Sequence, residues 1–82
     1  MQQKTPQEIS DYKYRWMSTG GYKVTTHSDL EYDCRDWCNR NLLPEVWRVY
    51  KHTNVYEHTF YFEKEQDARE FASQWNNAQF VE

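Results

Sequence analysis

The sequence is poor in the residues that interrupt regular structure, with two glycines and two prolines among 82 residues. With a charged fraction of 28%, this composition excludes collagen-like and low-complexity chains and argues against disorder. No apolar run approaches the roughly 20 residues that a membrane-spanning helix needs. The polar start, residues 1–4, is followed by no apolar signal-peptide region. We therefore expect one cytoplasmic domain.

Cysteine is also scarce, and its placement argues against a disulfide framework. Cys34 and Cys38 lie four positions apart on one face of a predicted helix, too few and too close together to staple a small secreted fold. The spacing lacks the tight CxxC turn of common zinc modules, and no His-x₃₋₅-His pair accompanies it. We predict two buried, unreactive thiols, no metal site and no cofactor.

Aromatic residues, in contrast, are abundant. Four Trp, seven Tyr and four Phe make up 18% of the chain. A chain of this length is near the size at which a hydrophobic core is only just sufficient, and large rings bury more area than aliphatic side chains. The sequence therefore predicts a small core built mainly from rings.

The pattern of residues 12–42 predicts a strand–strand–helix unit. Side chains alternate over residues 12–17, with Tyr12, Tyr14 and Trp16 on one side, as in a half-buried strand. Gly20-Gly21 predicts a turn before a second strand from residue 22. A helical stripe follows, and it should end near Leu42, ahead of a proline. Residues 1–10 are either a frayed tail or a short helix, since Thr5-Pro6-Gln7-Glu8 suits a helix start.

Residues 45–75 follow the same plan. Two runs rich in β-branched and aromatic residues, 46–51 and 56–63, flank a predicted turn at His52-Thr53-Asn54. A helix over 65–75 follows, and residues 76–82 form a tail in which Phe80-Val81 either adds a short strand or packs loosely. Asp33 and Asp67, 34 positions apart (67 − 33), open similar helical segments, which suggests an internal repeat.

These units predict one α+β domain, a two-layer sandwich. Its expected order is ββαββα, with a four-stranded antiparallel sheet and both helices on one face. This is a ferredoxin-like plan or a permuted form of it. If Phe80-Val81 forms an edge strand and residues 12–17 do not, the ordinary ferredoxin-like order results.

Strand parity then gives the most useful functional prediction. With the apolar residues facing the helices, the opposite sheet face carries more basic than acidic side chains, and two tyrosines. The predicted partner-binding residues on this face are Lys13, Arg15, Lys23, Arg48, Tyr50 and Tyr61. The two predicted helices carry an acidic bias, so charge should be segregated between the layers. No catalytic motif or phosphate-binding loop is present, so we expect no enzymatic activity.

Residues 55–72 resemble the third strand and second helix of an RNA-recognition motif. Phe60 and Phe62 occupy the core-facing apolar positions of that motif, and an acidic, alanine-containing helix follows. The positions that carry base-stacking aromatic residues in that family hold Glu57 and Thr59. The resemblance therefore implies a related layer arrangement and not that family's usual mode of RNA binding.

We predict a small non-enzymatic adaptor or inhibitor that binds a protein partner, because Tyr and Arg dominate interface energetics. The composition is similar to that of accessory proteins of tailed phages. The alternative is single-stranded nucleic-acid binding on the same face, with the basic residues on phosphates and the tyrosines stacking on bases. A homodimer through the sheet edges is also possible, since neither edge is obviously protected.

Overall fold

The computed structural model describes residues 4–51, 56–75 and 78–81. Its helices and strands are, in chain order, α1 (Pro6–Ser18), β1 (Tyr22–His27), α2 (Glu31–Asn41), β2 (Trp47–Lys51), β3 (Glu57–Phe62), α3 (Glu65–Ala72) and β4 (Gln79–Val81). Short 3₁₀ turns at Ser28–Leu30 and Pro44–Val46 precede α2 and β2.

The three longer strands form an antiparallel sheet with β3 in the middle. Phe62 lies opposite Tyr22 of β1 on one side and opposite Trp47 of β2 on the other. The three-residue β4 pairs antiparallel with β1 at one edge, and β2 lies at the other edge. The two middle strands, β1 and β3, therefore hold the sheet together.

The predicted fold, a four-stranded sheet with two helices in ββαββα order, is wrong. The domain is α+β, but it combines a three-stranded antiparallel sheet, to which β4 adds three residues, with three helices. Residues 12–17, predicted as the first strand, belong to α1. Because the first unit has no hairpin, the predicted ββα repeat is wrong too. The two halves instead share a strand–helix–strand order, β1–α2–β2 and β3–α3–β4. This is the arrangement expected if Phe80-Val81 forms an edge strand and residues 12–17 do not.

Residues 6–18 form a helix because a capping box starts it and one of its faces is buried against the rest of the domain. The Thr5 hydroxyl accepts a hydrogen bond from the Glu8 N–H at 3.2 Å, and the Glu8 carboxylate accepts one from the Thr5 N–H at 3.1 Å. Ile9, Tyr12 and Trp16, spaced by three and four positions, are the partly or fully buried aliphatic and aromatic side chains of one helical face.

Trp16 anchors α1 to the end of the sheet. Its indole N–H donates to the carbonyl oxygen of Glu45 at 2.8 Å, and the ring packs over Gly21. Gly21 has φ +59°, and a Cβ there would come within 2.9 Å of the indole. Tyr12 adds a hydrogen bond of 2.9 Å from its hydroxyl to the Glu63 carboxylate. Helix α1 therefore lies where β1 begins and β3 ends.

Helices α2 and α3 pack together on one face of the sheet. Their buried side chains Cys34, Cys38, Ala68 and Phe71 form one core with residues of the sheet that include Val24, Trp47, Phe60 and Phe62. The Phe71 ring lies 4.8 Å from the Phe60 ring and 4.9 Å from the Phe62 ring, between centroids. The predicted core of rings is confirmed.

The predicted burial of both cysteines is confirmed. Cys34 and Cys38 are fully buried and are not joined in a disulfide. Burial raises the pKa of the Cys34 thiol to about 12, and burial also raises the pKa of Cys38. Because the thiolate is the nucleophile, these thiols are poor nucleophiles at neutral pH in the folded protein.

The predicted turn at residues 52–54 lies outside the described residues. The last helix, predicted over residues 65–75, is shorter than expected: α3 ends at Ala72, where the Ser73 N–H caps it by bonding to the Arg69 carbonyl oxygen. His58, predicted on the core face, is buried, and its Nδ1 lies 3.0 Å from Glu31 Oε1 of α2. Across residues 4–51, 56–75 and 78–81, no helix has the length and apolar character needed to cross a membrane.

The packing of α1 predicts a clear difference between two neighbouring aromatic residues. Trp16→Ala should lower the free energy of unfolding by about 3 kcal/mol, because it empties a buried site and leaves the Glu45 carbonyl without its donor. Tyr14→Ala should change it by less than about 0.5 kcal/mol, because Tyr14 is 76% exposed. Urea unfolding followed by circular dichroism measures both. If both substitutions lowered the free energy of unfolding equally, residues 12–17 would instead form a strand that buries both rings.

Candidate partner-binding face

The outer face of the sheet is the face of β1, β2 and β3 turned away from α2 and α3. The register brings its side chains into two rows across the three strands. Arg48, Tyr61 and Lys23 form one row, because Tyr61 lies opposite both of the others. Tyr50, Thr59 and Thr25 form the next row in the same way. The residues between them in sequence are turned toward the helices.

Four side chains of these rows touch one another and form what we call the cation–tyrosine cluster: Lys23, Arg48, Tyr50 and Tyr61. The two tyrosine rings meet edge to face, with centroids 5.4 Å apart at 85°. The Arg48 guanidinium carbon lies 4.6 Å from the Tyr50 centroid, and the Lys23 Nζ lies 5.7 Å from the Tyr61 centroid. Exposed contacts of this kind are individually worth about 0.5–1 kcal/mol, so their main effect is to position the side chains.

Lys13 reaches the margin of this cluster from α1. Its Nζ lies 5.8 Å from the centroid of the Trp47 ring. Burial lowers the pKa of Lys13, the positive charge of Arg48 lowers it further, and the negative charge of Glu45 opposes both effects. Lys13 and Arg48 are therefore close enough for their like charges to repel.

Helix α1 also forms one side of a groove that borders the cluster. Tyr14, Met17 and Ser18 of α1 face Arg48 and Tyr50 of β2 across a depression of about 330 Å³. Tyr50 is 42% exposed, so both walls of the groove contribute an accessible ring. An extended side chain or a short segment of backbone could lie there.

Arg15, in contrast, lies apart from the cluster. Its guanidinium carbon is 5.8 Å from the Tyr12 centroid, and it lines a second depression with Lys4, Glu8, Asp11 and Tyr14. Of the six predicted site residues, four thus form the cation–tyrosine cluster, Lys13 adjoins it and Arg15 does not. Lys13 and Arg15 lie in different places because residues 13 and 15 would share one side of a strand but point in different directions on a helix.

The strand prediction placed Tyr14 in the core and left Met17 out of the partner-binding set. Both belong to the wall of the groove because residues 14 and 17 are three positions apart on a helix. The signal that could have found them was the helix start at Thr5-Pro6-Gln7-Glu8. Combined with the spacing of Ile9, Tyr12 and Trp16, it indicates a helix through this region.

Ion pairing differs between the two faces of the domain. On the helical layer, three arginines lie four residues from an acid that they pair with: Arg35–Glu31 at 3.6 Å, Arg40–Asp36 at 3.1 Å and Arg69–Glu65 at 2.9 Å. At the cluster, Lys13, Lys23 and Arg48 form no ion pair with a carboxylate of the described residues. These three cations therefore lack the close carboxylate partners that the arginines of the helical layer have, although Glu45 lies near enough to Lys13 to affect its pKa.

No group of three His, Cys, Asp or Glu side chains that could hold a metal occurs within residues 4–51, 56–75 and 78–81. The expectation that the protein needs no metal or cofactor stays a prediction.

Comparison of the chain with protein-family models, curated proteins and solved structures found no match. The geometry of the outer face is therefore the basis for any functional inference. The phage-type accessory role suggested by composition stays a prediction.

The position of Lys13 predicts a coupled titration. Arg48→Gln should raise the pKa of Lys13, because it removes a neighbouring positive charge. The pKa should still stay below that of an ordinary lysine, because burial remains its largest cause. An alkaline NMR titration of the lysine ε-methylene signals measures this change. Arg40→Gln, on the helical layer, is the matched control and should leave the pKa of Lys13 unchanged. If Arg48→Gln also leaves it unchanged, Arg48 does not lie close to Lys13.

Proposed function

We propose that this protein is a small non-enzymatic binding protein, an adaptor or inhibitor, whose outer sheet face contacts a partner protein. The observation that carries the proposal is the cation–tyrosine cluster. It groups two tyrosines and an arginine, residue types that are enriched at the energetic centres of protein interfaces. We further propose that it acts in the cytoplasm.

The contacts within the cluster support binding because they limit the freedom of its side chains before a partner arrives. Tyr61 is held between Tyr50 and Lys23, and Arg48 lies over Tyr50. Ordering a long side chain at an interface costs about 0.5–1.5 kcal/mol. A cluster that is already ordered avoids part of that cost, which favours a defined contact surface over a merely solvated one.

Single-stranded nucleic acid is the second candidate, and Lys13, Lys23 and Arg48 favour it because they form no ion pair with a carboxylate of the described residues. These cations could contact phosphates. The rings fit this function less well, because Arg48 lies over Tyr50 and Lys23 lies over Tyr61. A base would have to displace a cation before stacking on either ring, so we rank the protein partner first.

The first test compares two exposed tyrosines on opposite layers. Tyr50→Ala and Arg48→Ala should remove the partner from a pull-down out of the native host, because they truncate the proposed contact. Tyr32→Ala is the control, since Tyr32 is 81% exposed on α2. Quantitative mass spectrometry gives the readout, and thermal unfolding checks that each variant folds. The same partners at the same abundance in all three variants would show that the outer face is not the contact surface.

The second test measures binding to a labelled single-stranded oligonucleotide by fluorescence anisotropy over a range of salt concentrations. We expect no sequence-independent complex that persists at physiological salt. If the nucleic-acid function is correct, log Kobs should fall steeply with log salt, and Arg48→Ala should reduce the slope by about one unit. That result would replace the protein partner with nucleic acid.

A further inference from the structure

Strand β2 is an edge of the sheet in the described part of the chain. It pairs with β3 along one side, from Trp47 opposite Phe62 to Lys51 opposite His58. Its other side pairs with no described strand. A strand in this position presents a row of backbone donors and acceptors that can pair with another chain.

The ladder identifies which backbone groups are directed toward the free edge. The Glu63 N–H donates to the Val46 carbonyl oxygen at 3.0 Å, so residues 46 and 63 lie at a hydrogen-bonded position of the antiparallel ladder. Such positions alternate along the strand. Arg48 and Tyr50 therefore bond to β3, while the N–H and C=O groups of Trp47, Val49 and Lys51 are directed outward.

The groove between α1 and β2 lies beside this edge on the outer face. An added strand would turn every second side chain toward the outer face, next to Arg48 and Tyr50. Tyr14 and Met17 on the far wall provide apolar surface for such side chains, and the depression of about 330 Å³ gives them room. The edge and the groove together suit an extended segment.

The charges at this edge favour an acidic segment. Arg48 is exposed on β2, Lys13 adjoins it, and neither forms an ion pair with a carboxylate of the described residues. Opposite charges on paired strands stabilise the pairing, and like charges directly opposite one another destabilise it. Carboxylates on the added strand would also relieve the repulsion between Lys13 and Arg48.

A second copy of this chain is a poorer occupant. Strand β2 carries Arg48 on the outer face and no acid. Pairing two copies of β2 would bring two Arg48 side chains to the same face with no acid on either strand. This argument disfavours the homodimer through β2 that an unprotected edge would otherwise permit.

We propose that the partner presents an extended acidic segment, which adds to the free edge of β2 as a further strand and places its carboxylates next to Arg48 and Lys13. This inference rests on the proposed function and names the chemistry of the partner. Backbone hydrogen bonds to the outward groups provide affinity, and the alternating side chains provide selectivity.

The test uses a fluorescein-labelled peptide of about eight residues, a typical strand length, in which glutamate alternates with valine. It should bind the full chain and shift the amide NMR signals of residues 47–51 more than those of α2 and α3. A matched peptide with lysine in place of glutamate should bind at least about tenfold more weakly, because its charges repel the edge. Equal binding of the two peptides would overturn the charge argument.

Backbone pairing is tested on the peptide, so that protein folding is not at issue. Two isomers of the glutamate peptide are made. In one, the backbone N–H groups along one edge of the strand are N-methylated, and in the other the N–H groups along the opposite edge are N-methylated. One isomer should lose binding and the other should retain it, because a single edge of the added strand faces β2. If the two isomers bind equally well, strand addition is wrong.

A protein variant tests the assigned residue. Arg48→Glu should weaken binding of the glutamate peptide at least about tenfold, because repulsion replaces attraction. Arg40→Glu on α2 has the same charge change and should weaken it less than about twofold. Equal effects would show that the peptide senses only net charge and would overturn the site.

The outcomes separate this inference from the function on which it rests. If the glutamate peptide fails to bind while Tyr50→Ala and Arg48→Ala still remove the host partner, the strand-addition inference is wrong and the proposed function stands. If the tyrosine and arginine variants also keep the partner, both are wrong. Concentration-dependent dimerisation in sedimentation experiments that Val49→Pro abolishes would make a second copy the occupant of the edge.

Discussion

The contact between Trp16 and the end of the sheet is the constraint on which the functional geometry depends. The indole bonds to the Glu45 carbonyl, packs over Gly21 and thereby sets the position of α1. Lys13, Tyr14 and Met17 take their places relative to β2 from that position. Without it, the outer face would consist of the sheet alone, with no groove and no second wall.

The cation–tyrosine cluster depends on a second constraint, the register of the three strands. Tyr61 on the middle strand lies opposite Arg48 on one side and Lys23 on the other, which is why its ring can contact both neighbouring strands. A one-residue slip would turn these side chains into the core and the phenylalanines toward solvent. The buried rings of Phe60 and Phe62 therefore hold the polar cluster in place as well as the core.

The two layers of the domain differ in the sign of their charge and in how the charges are paired. On α2 and α3 the arginines lie one helical turn from an acid, so their fields are largely compensated locally. On the outer face the described cations have rings as neighbours. A neighbouring ring weakens a cation's field far less than a neighbouring carboxylate does. The proposed acidic partner rests on this difference, although the chain as a whole carries a net charge of −3.

The sequence by itself determined the local features of this protein: the helix of residues 31–41, the strands at 22–27 and 57–62, and the alternation that separates Tyr61 from Phe60 and Phe62. Each is set by a short-range period and by neighbouring caps and turns. Residues 12–17 fit both a strand and a helix, because aromatic residues at 12, 14 and 16 satisfy a period of two while Ile9, Tyr12 and Trp16 satisfy a helical one. The helix start at Thr5-Pro6-Gln7-Glu8 favours the helix locally, but only tertiary structure fixes it, because the Trp16 indole is buried and bonds to Glu45, 29 positions away. For the same reason it alone joined Tyr14 and Met17 to Arg48 and Tyr50, a contact between elements about 30 residues apart that no local pattern records.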